Sequence, residues 1–123
     1  MFWIYVLATG AVMAAIGVGA GAFGAHALKD RLTPADLGIF ETACRYWMYH
    51  ALGVCVVAMV LARIENGFMK ASAIAMIVGA LVFSGSLIAL VATGNRMLGA
   101  VTPIGGVLLI AGWLLLATGL LSH

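Results

Sequence analysis

Two histidines, His26 and His50, are the side chains best suited by type to handle a proton near neutral pH, since imidazole titrates there. Few other polar groups accompany them. Glu41, Arg45 and Tyr49 share the segment that carries His50, Ser84 and Ser86 flank Gly85, and Asn95 and Thr102 lie near Pro103. Glu41 and Arg45 are spaced i,i+4 with the acid N-terminal, the orientation that favours an ion pair on a helix, and Tyr49 continues that face. His50 falls about 140° round the helix from Arg45, on the face of Tyr46 and Gly53. One helix therefore presents two polar faces that can address two different neighbours.

Three chemistries are open to this set. The plainest is a polar network that ties helix ends together and satisfies the backbone around Pro103. A binding or proton-handling site built on His26 or His50 is the sharper reading. A metal site is the weakest, because two histidines without a nearby cysteine or carboxylate triad are a poor ligand set. Ser84 and Ser86 point to nearly opposite helix faces, and at least one is expected to bond back to the carbonyl four residues earlier. No G-x-S-x-G elbow or positioned base accompanies them, so nucleophilic catalysis is not expected.

The elements that must hold these residues are apolar. Of 123 residues, 65% are hydrophobic and 8% are charged, against about 25% charged in a soluble domain. Four apolar stretches run from Phe2 to Leu28, Ala43 to Ala62, Ala71 to Ala92 and Met97 to Leu121. Each has the roughly 20 residues needed to cross about 30 Å of hydrocarbon. They are apolar all round, where helices of a soluble bundle carry a polar outer face. The second helix is expected to start earlier, at Pro34: Thr33 can cap it, Pro34 loses no hydrogen bond at the first position, and Asp36 complements the dipole. It would then be about 45 Å long, so its first turns protrude, lie in the interface or bend near Gly38. The expectation is a single all-α domain, an integral membrane four-helix bundle with helices at 2–28, 34–62, 71–92 and 97–121.

With four spans, both termini share one side. Lys29, Arg31 and Arg96 sit in the first and third loops, with Arg45 nearby, against Arg63 and Lys70 in the second. Positive-inside counting then places loops one and three in the cytoplasm and the termini outside. The N-terminal stretch lacks a basic leader, and its apolar run is too long for a signal peptide, so it reads as a retained helix. Cys44 and Cys55 lie roughly 16 Å apart along one helix, too far for a disulfide, and read as small apolar residues.

Sixteen glycines are not spread evenly. In helix one, Gly10, Ala14, Gly17, Gly21 and Gly24 fall within about 80° of arc, and in helix four Gly105, Gly112 and Gly119 repeat every seven residues. Helices in lipid associate through close packing, which small residues permit. These seams are expected to join helices within the bundle or between copies; the alternative is that they make room for a ligand or pore. His26, Glu41, Arg45, Tyr49, His50, Asn95 and Thr102 are expected to gather at the leaflet of loops one and three.

Gly21-Ala22-Phe23-Gly24-Ala25-His26, Glu41-Thr42-Ala43 through Tyr46 to His50-Ala51-Leu52, Phe83-Ser84-Gly85-Ser86-Leu87, and Thr102-Pro103-Ile104-Gly105-Gly106 through Gly112-Trp113 resemble the domain-of-unknown-function 423 family, which includes animal transmembrane protein 256. The match runs in order over essentially the whole chain. It implies a small multi-pass membrane protein, an inner-membrane one in bacteria, with no activity to transfer. Two positions depart from the family pattern: Trp47 stands where glutamine is common, and Ile88 where tyrosine often follows Ser-Leu. A polar site built on that glutamine or tyrosine would be incomplete in this chain.

The functional expectation is a non-enzymatic structural, partner-binding or lipid-binding membrane component. A small transporter or channel using the polar leaflet is the alternative, and an enzyme acting on a lipid or quinone has only the histidines and serines behind it. No cofactor is called for. Expected partners are membrane lipids, a second copy or another membrane protein, and the net charge of +2 is too small to argue for nucleic acid.

Overall fold

A computed structural model describes all 123 residues, and they form helices with no strand. Helix α1 runs Phe2–Leu28, α2 Pro34–Leu61, α3 Gly67–Thr93 and α4 Thr102–Leu121. A 3₁₀ segment, Arg96–Ala100, leads into α4.

Side-chain chemistry sets these ends. Thr33 Oγ1 accepts the Asp36 N–H at 3.1 Å and starts α2 as expected, and helical structure continues unbroken through Gly38. Helix α3 begins at Gly67, four residues before its expected start, because Asn66 Oδ1 accepts the Met69 N–H at 3.0 Å. Lys70 therefore belongs to the first turn, not to the loop. The helix ends at Gly94, whose φ of +70° is the left-handed cap that glycine adopts without steric cost. Helix α4 starts five residues later than expected. Pro103 has no N–H to donate back to Gly99, so the preceding turns close by i→i+3 bonds such as Val101 N–H to Leu98 C=O, 3.0 Å.

Within α1, Gly19–Gly24 winds as a π-helix. Its i→i+5 bonding turns the chain by less than 100° per residue, so a stripe projected at 100° does not hold across it.

The helices pack in chain order, α1 on α2, α2 on α3 and α3 on α4. The centre lies between α2 and α3, where Val54, Val57, Ala58, Met69, Met76 and Ala80 are fully buried. The outward surface of the spans is also apolar: Val12, Ile16, Ile74, Val107, Ile110 and Leu114 are all exposed. Such a surface would drive aggregation in water, whereas hydrocarbon solvates it.

The expected seam of α4 is realised against α3. A Cβ added at Gly105 would lie 2.7 Å from Phe83 Cα, one at Gly112 2.6 Å from Met76 Cγ, and one at Gly119 3.0 Å from Met69 Cε. The seam of α1 is realised in part, against α2. An added Cβ would lie 2.6 Å from Cys55 Sγ at Gly10, 2.9 Å from Met48 Cε at Gly17 and 3.0 Å from the tip of the Phe40 ring at Gly24. Gly21 is a correction. It lies in the π-helical turn with nothing within 4 Å of an added Cβ, so it joins no contact in this bundle.

Candidate functional site

His50 is the one ionisable residue of the predicted set that the fold buries, at 5% exposure. It faces α4, as its separation from Arg45 implied. The Trp113 Nε1–H donates to His50 Nε2 at 3.0 Å. An indole N–H cannot accept, so Nε2 is the bare nitrogen. Nδ1 then carries the proton and donates to the Tyr46 carbonyl at 2.7 Å. Both ring nitrogens are occupied and the tautomer is determined. Tyr46 and Phe83 complete an aromatic cluster, their ring centroids 4.8 Å apart. Tyr46, His50, Phe83 and Trp113 line a groove of about 370 Å³ between α2 and α4.

The remaining predicted residues do not gather around His50. His26 is exposed at the end of α1 with no side-chain hydrogen bond. Glu41, Arg45 and Tyr49 are exposed on the opposite side of α2 from the core. The expected Glu41–Arg45 ion pair is not formed: the ion pairs are Lys70–Glu65 at 2.8 Å and Arg96–Asp36 at 3.5 Å. Asp36 is thus more than a dipole partner. It ties the start of α2 to the turn before α4, although its Oδ1 is buried without a hydrogen bond, so the contact with Arg96 is electrostatic. Asn95 caps the 3₁₀ segment through Oδ1, 3.1 Å from the Met97 N–H. Thr102 Oγ1 lies 2.6 Å from Ser86 Oγ, joining α3 to the start of α4.

The serines serve the backbone. Ser86 Oγ donates to the Phe83 carbonyl at 2.9 Å, three residues back and not four. Ser84 does not bond its own helix; it crosses to the Ala43 carbonyl of α2 at 2.7 Å. No three His, Cys, Asp or Glu side chains converge on one point.

Several residues that hold the bundle escaped the motif reading. Ser72 Oγ donates to the Gly112 carbonyl at 2.6 Å and Asn66 Nδ2 to the Gly119 carbonyl at 3.1 Å. Both acceptors are seam glycines, whose missing side chains leave the carbonyl open to a neighbour. The signal was present: Ser72, Gly79 and Ser86 repeat every seven residues on α3, in step with Gly105, Gly112 and Gly119 on α4. Trp47 donates its indole N–H to the Met13 carbonyl of α1 at 2.6 Å. A tryptophan N–H at membrane depth needs a partner, which was the cue for Trp47 and Trp113 alike.

Trp47 also stands where α1 and α3 leave a gap. One cavity of about 320 Å³ is lined by Gly17, Ala20, Cys44, Trp47, Gly85 and Ile88, among others. A second, of about 450 Å³, shares Ile16 and Trp47 with it and extends towards Tyr5 and Val12. Together they form an apolar groove along α1 and α3 with α2 as its floor.

Comparison with known proteins matches residues 20–106 to the family described as "Protein of unknown function (DUF423)". A "UPF0382 membrane protein" of Staphylococcus epidermidis is 45% identical over 113 residues, covering 92% of each chain. The "UPF0382 membrane protein YwdK" of Bacillus subtilis is 38% identical over 115 residues, covering 93% of this chain and 94% of that one. No solved structure matches.

Proposed function

For this chain, which belongs to the DUF423 family of membrane proteins, we propose a non-catalytic, structural role: a rigid four-helix membrane component that presents its outer surfaces to lipids and partner proteins. One observation carries this reading. His50, the single buried ionisable side chain of the predicted set, has both nitrogens engaged by Tyr46 and Trp113. Nδ1 is held by the backbone of its own helix and Nε2 by an indole N–H that can only donate, so the imidazole acts as a bridge between α2 and α4. The buried serines are used in the same way, Ser72 and Ser84 each donating to a neighbouring helix's carbonyl. The apolar α1/α3 groove opens along the spans, where lipid acyl chains fill it. Orientation belongs to the same proposal: loops one and three, with Lys29, Arg31 and Arg96, face the cytoplasm and both termini lie outside.

Purified protein in sealed vesicles tests the role. Wild type and His50→Ala should show the same negligible proton and cation flux, while His50→Ala unfolds more readily in detergent. Flux that depends on His50 would establish the transport reading instead. A reporter active only in the cytoplasm, fused at His123, should be silent; activity would reverse the orientation.

A further inference from the structure

The outer face of α2 carries charges that nothing in the chain uses. Gly38, Arg45, Leu52 and Met59 are all exposed and recur every seven residues, so they form one line down the helix. Glu41, Tyr49 and Val56 are exposed beside it. The α1 side of α2 is covered at Met48, Ala51 and Cys55, and the α3 side at Ala43 and Gly53. The charged line points away from both.

This face is unusual on three counts. Arg45 lies two residues inside the apolar stretch that begins at Ala43, where an unpaired charge facing hydrocarbon is costly. It has no ion-pair partner, although Glu41 sits one turn away. Gly38 occupies an exposed helical position where an added Cβ would meet nothing within 4 Å. Glycine there costs about 0.8–1.0 kcal/mol against alanine, with no compensating contact inside the chain.

We propose that this face is the interface of a parallel homodimer, in which Arg45 of each copy pairs with the partner's Glu41. Two copies with the same membrane topology are related by a two-fold axis along the membrane normal, so their α2 helices run parallel and face one another residue for residue. Glu41 then stands about 6 Å nearer the helix start than the partner's Arg45. Both side chains lean towards the helix start, and the greater length of arginine carries its guanidinium across that offset to the opposite carboxylate. The symmetry makes the contact twice. The seven-residue repeat of Gly38, Arg45, Leu52 and Met59 is the spacing of two parallel helices in a left-handed supercoil, and Gly38 lets the backbones close at one end. An anionic lipid fits this face less well than a second copy. Glu41 lies between Arg45 and the headgroups at that end of α2, so a phosphate reaching for the guanidinium would meet a carboxylate first. This inference does not depend on the role assigned to His50.

Full-length chains labelled with donor or acceptor dyes and reconstituted at high dilution in phosphatidylcholine vesicles test it by energy transfer. Wild type should dimerise. Glu41→Arg puts four cations, and Arg45→Glu four carboxylates, across the axis, and each should weaken association at least about tenfold. Mixing the two variants restores both pairs in trans, and the mixture should associate as wild type does. That rescue separates pairing between chains from pairing within one chain, and it is a positive signal that misfolded variants would not give. The inference is overturned if wild type is monomeric, if either variant alone dimerises at wild-type strength, if the mixture is not rescued, or if association occurs only when anionic lipid is added.

Discussion

The stability of this bundle rests on side chains that donate hydrogen bonds across helices. Trp113→Phe keeps an aromatic, though smaller, ring and removes the N–H, leaving His50 Nε2 buried and unpartnered, and should destabilise the protein by roughly 1–3 kcal/mol. Adding His50→Leu to that variant removes the orphan and should recover part of the loss. Unfolding in a detergent series, read by tryptophan fluorescence with Trp3 and Trp47 still present, measures both. Ser72→Ala should cost less, about 0.6 kcal/mol and at most about 1.7, the range for single side-chain bonds between membrane helices. Outside the spans, the Lys70 ammonium hydrogen-bonds Glu65 and holds its carboxyl below the ordinary carboxylate range. Its folded value is depressed, so the contribution is present above the unfolded value and lost as pH falls through the folded one. Glu65 and Lys70 are both exposed, and such pairs contribute little. Glu65→Gln should therefore leave the melting temperature nearly unchanged at neutral pH and remove only a small acid-dependent slope.

At the scale of elements, α3 and α4 are held by a double seam. Gly105, Gly112 and Gly119 of α4 receive Phe83, Met76 and Met69 of α3, Gly79 of α3 receives Leu109 of α4, and the close approach lets Ser72 and Asn66 reach the Gly112 and Gly119 carbonyls. Gly105→Ala should therefore be disruptive out of proportion to one methyl group, since its Cβ would meet the Phe83 backbone. Separating the helices to admit it should cost about 1–3 kcal/mol. Gly21→Ala is the contrast: its Cβ meets open space and alanine is the better helix former, so it should be neutral or stabilising. Comparing the two in one unfolding assay distinguishes contact glycines from those that merely lie in a glycine-rich segment. The π-helical turn bears on Gly21 alone: a projection at 100° per residue drifts as soon as the hydrogen bonding changes.

At the scale of the molecule, helices packed in chain order leave faces that are not closed by the chain itself. The α1/α3 groove is apolar and open to acyl chains, and Gly85 on its wall has nothing within 4 Å of an added Cβ. Gly85→Leu should therefore leave stability unchanged or raise it by up to about 1 kcal/mol, while lowering the number of lipids retained, as native mass spectrometry can count. The outer face of α2 is the other open surface, and its charges give it the means to recognise a second copy.

Much of this was legible without coordinates. The length and apolarity of the four stretches determined four helices long enough to span a membrane, because hydrocarbon thickness is a ruler that sequence alone can be held against. The Thr33-Pro34 start, the α4 glycine seam and the opposition of His50 to Arg45 on α2 followed from local chemistry and helical periodicity. The family resemblance in the motifs from Gly21 to Trp113 agreed with the comparison that matches residues 20–106. What only the tertiary structure decided was partnership. Seven polar residues assigned to one leaflet separated into a buried bridge at His50, a joint at Thr102, a cap at Asn95 and exposed groups at His26, Glu41, Arg45 and Tyr49. Sequence places a residue at a depth and on a face of its own helix. Which neighbour that face meets depends on how the helices pack against one another, through contacts between residues distant in the chain.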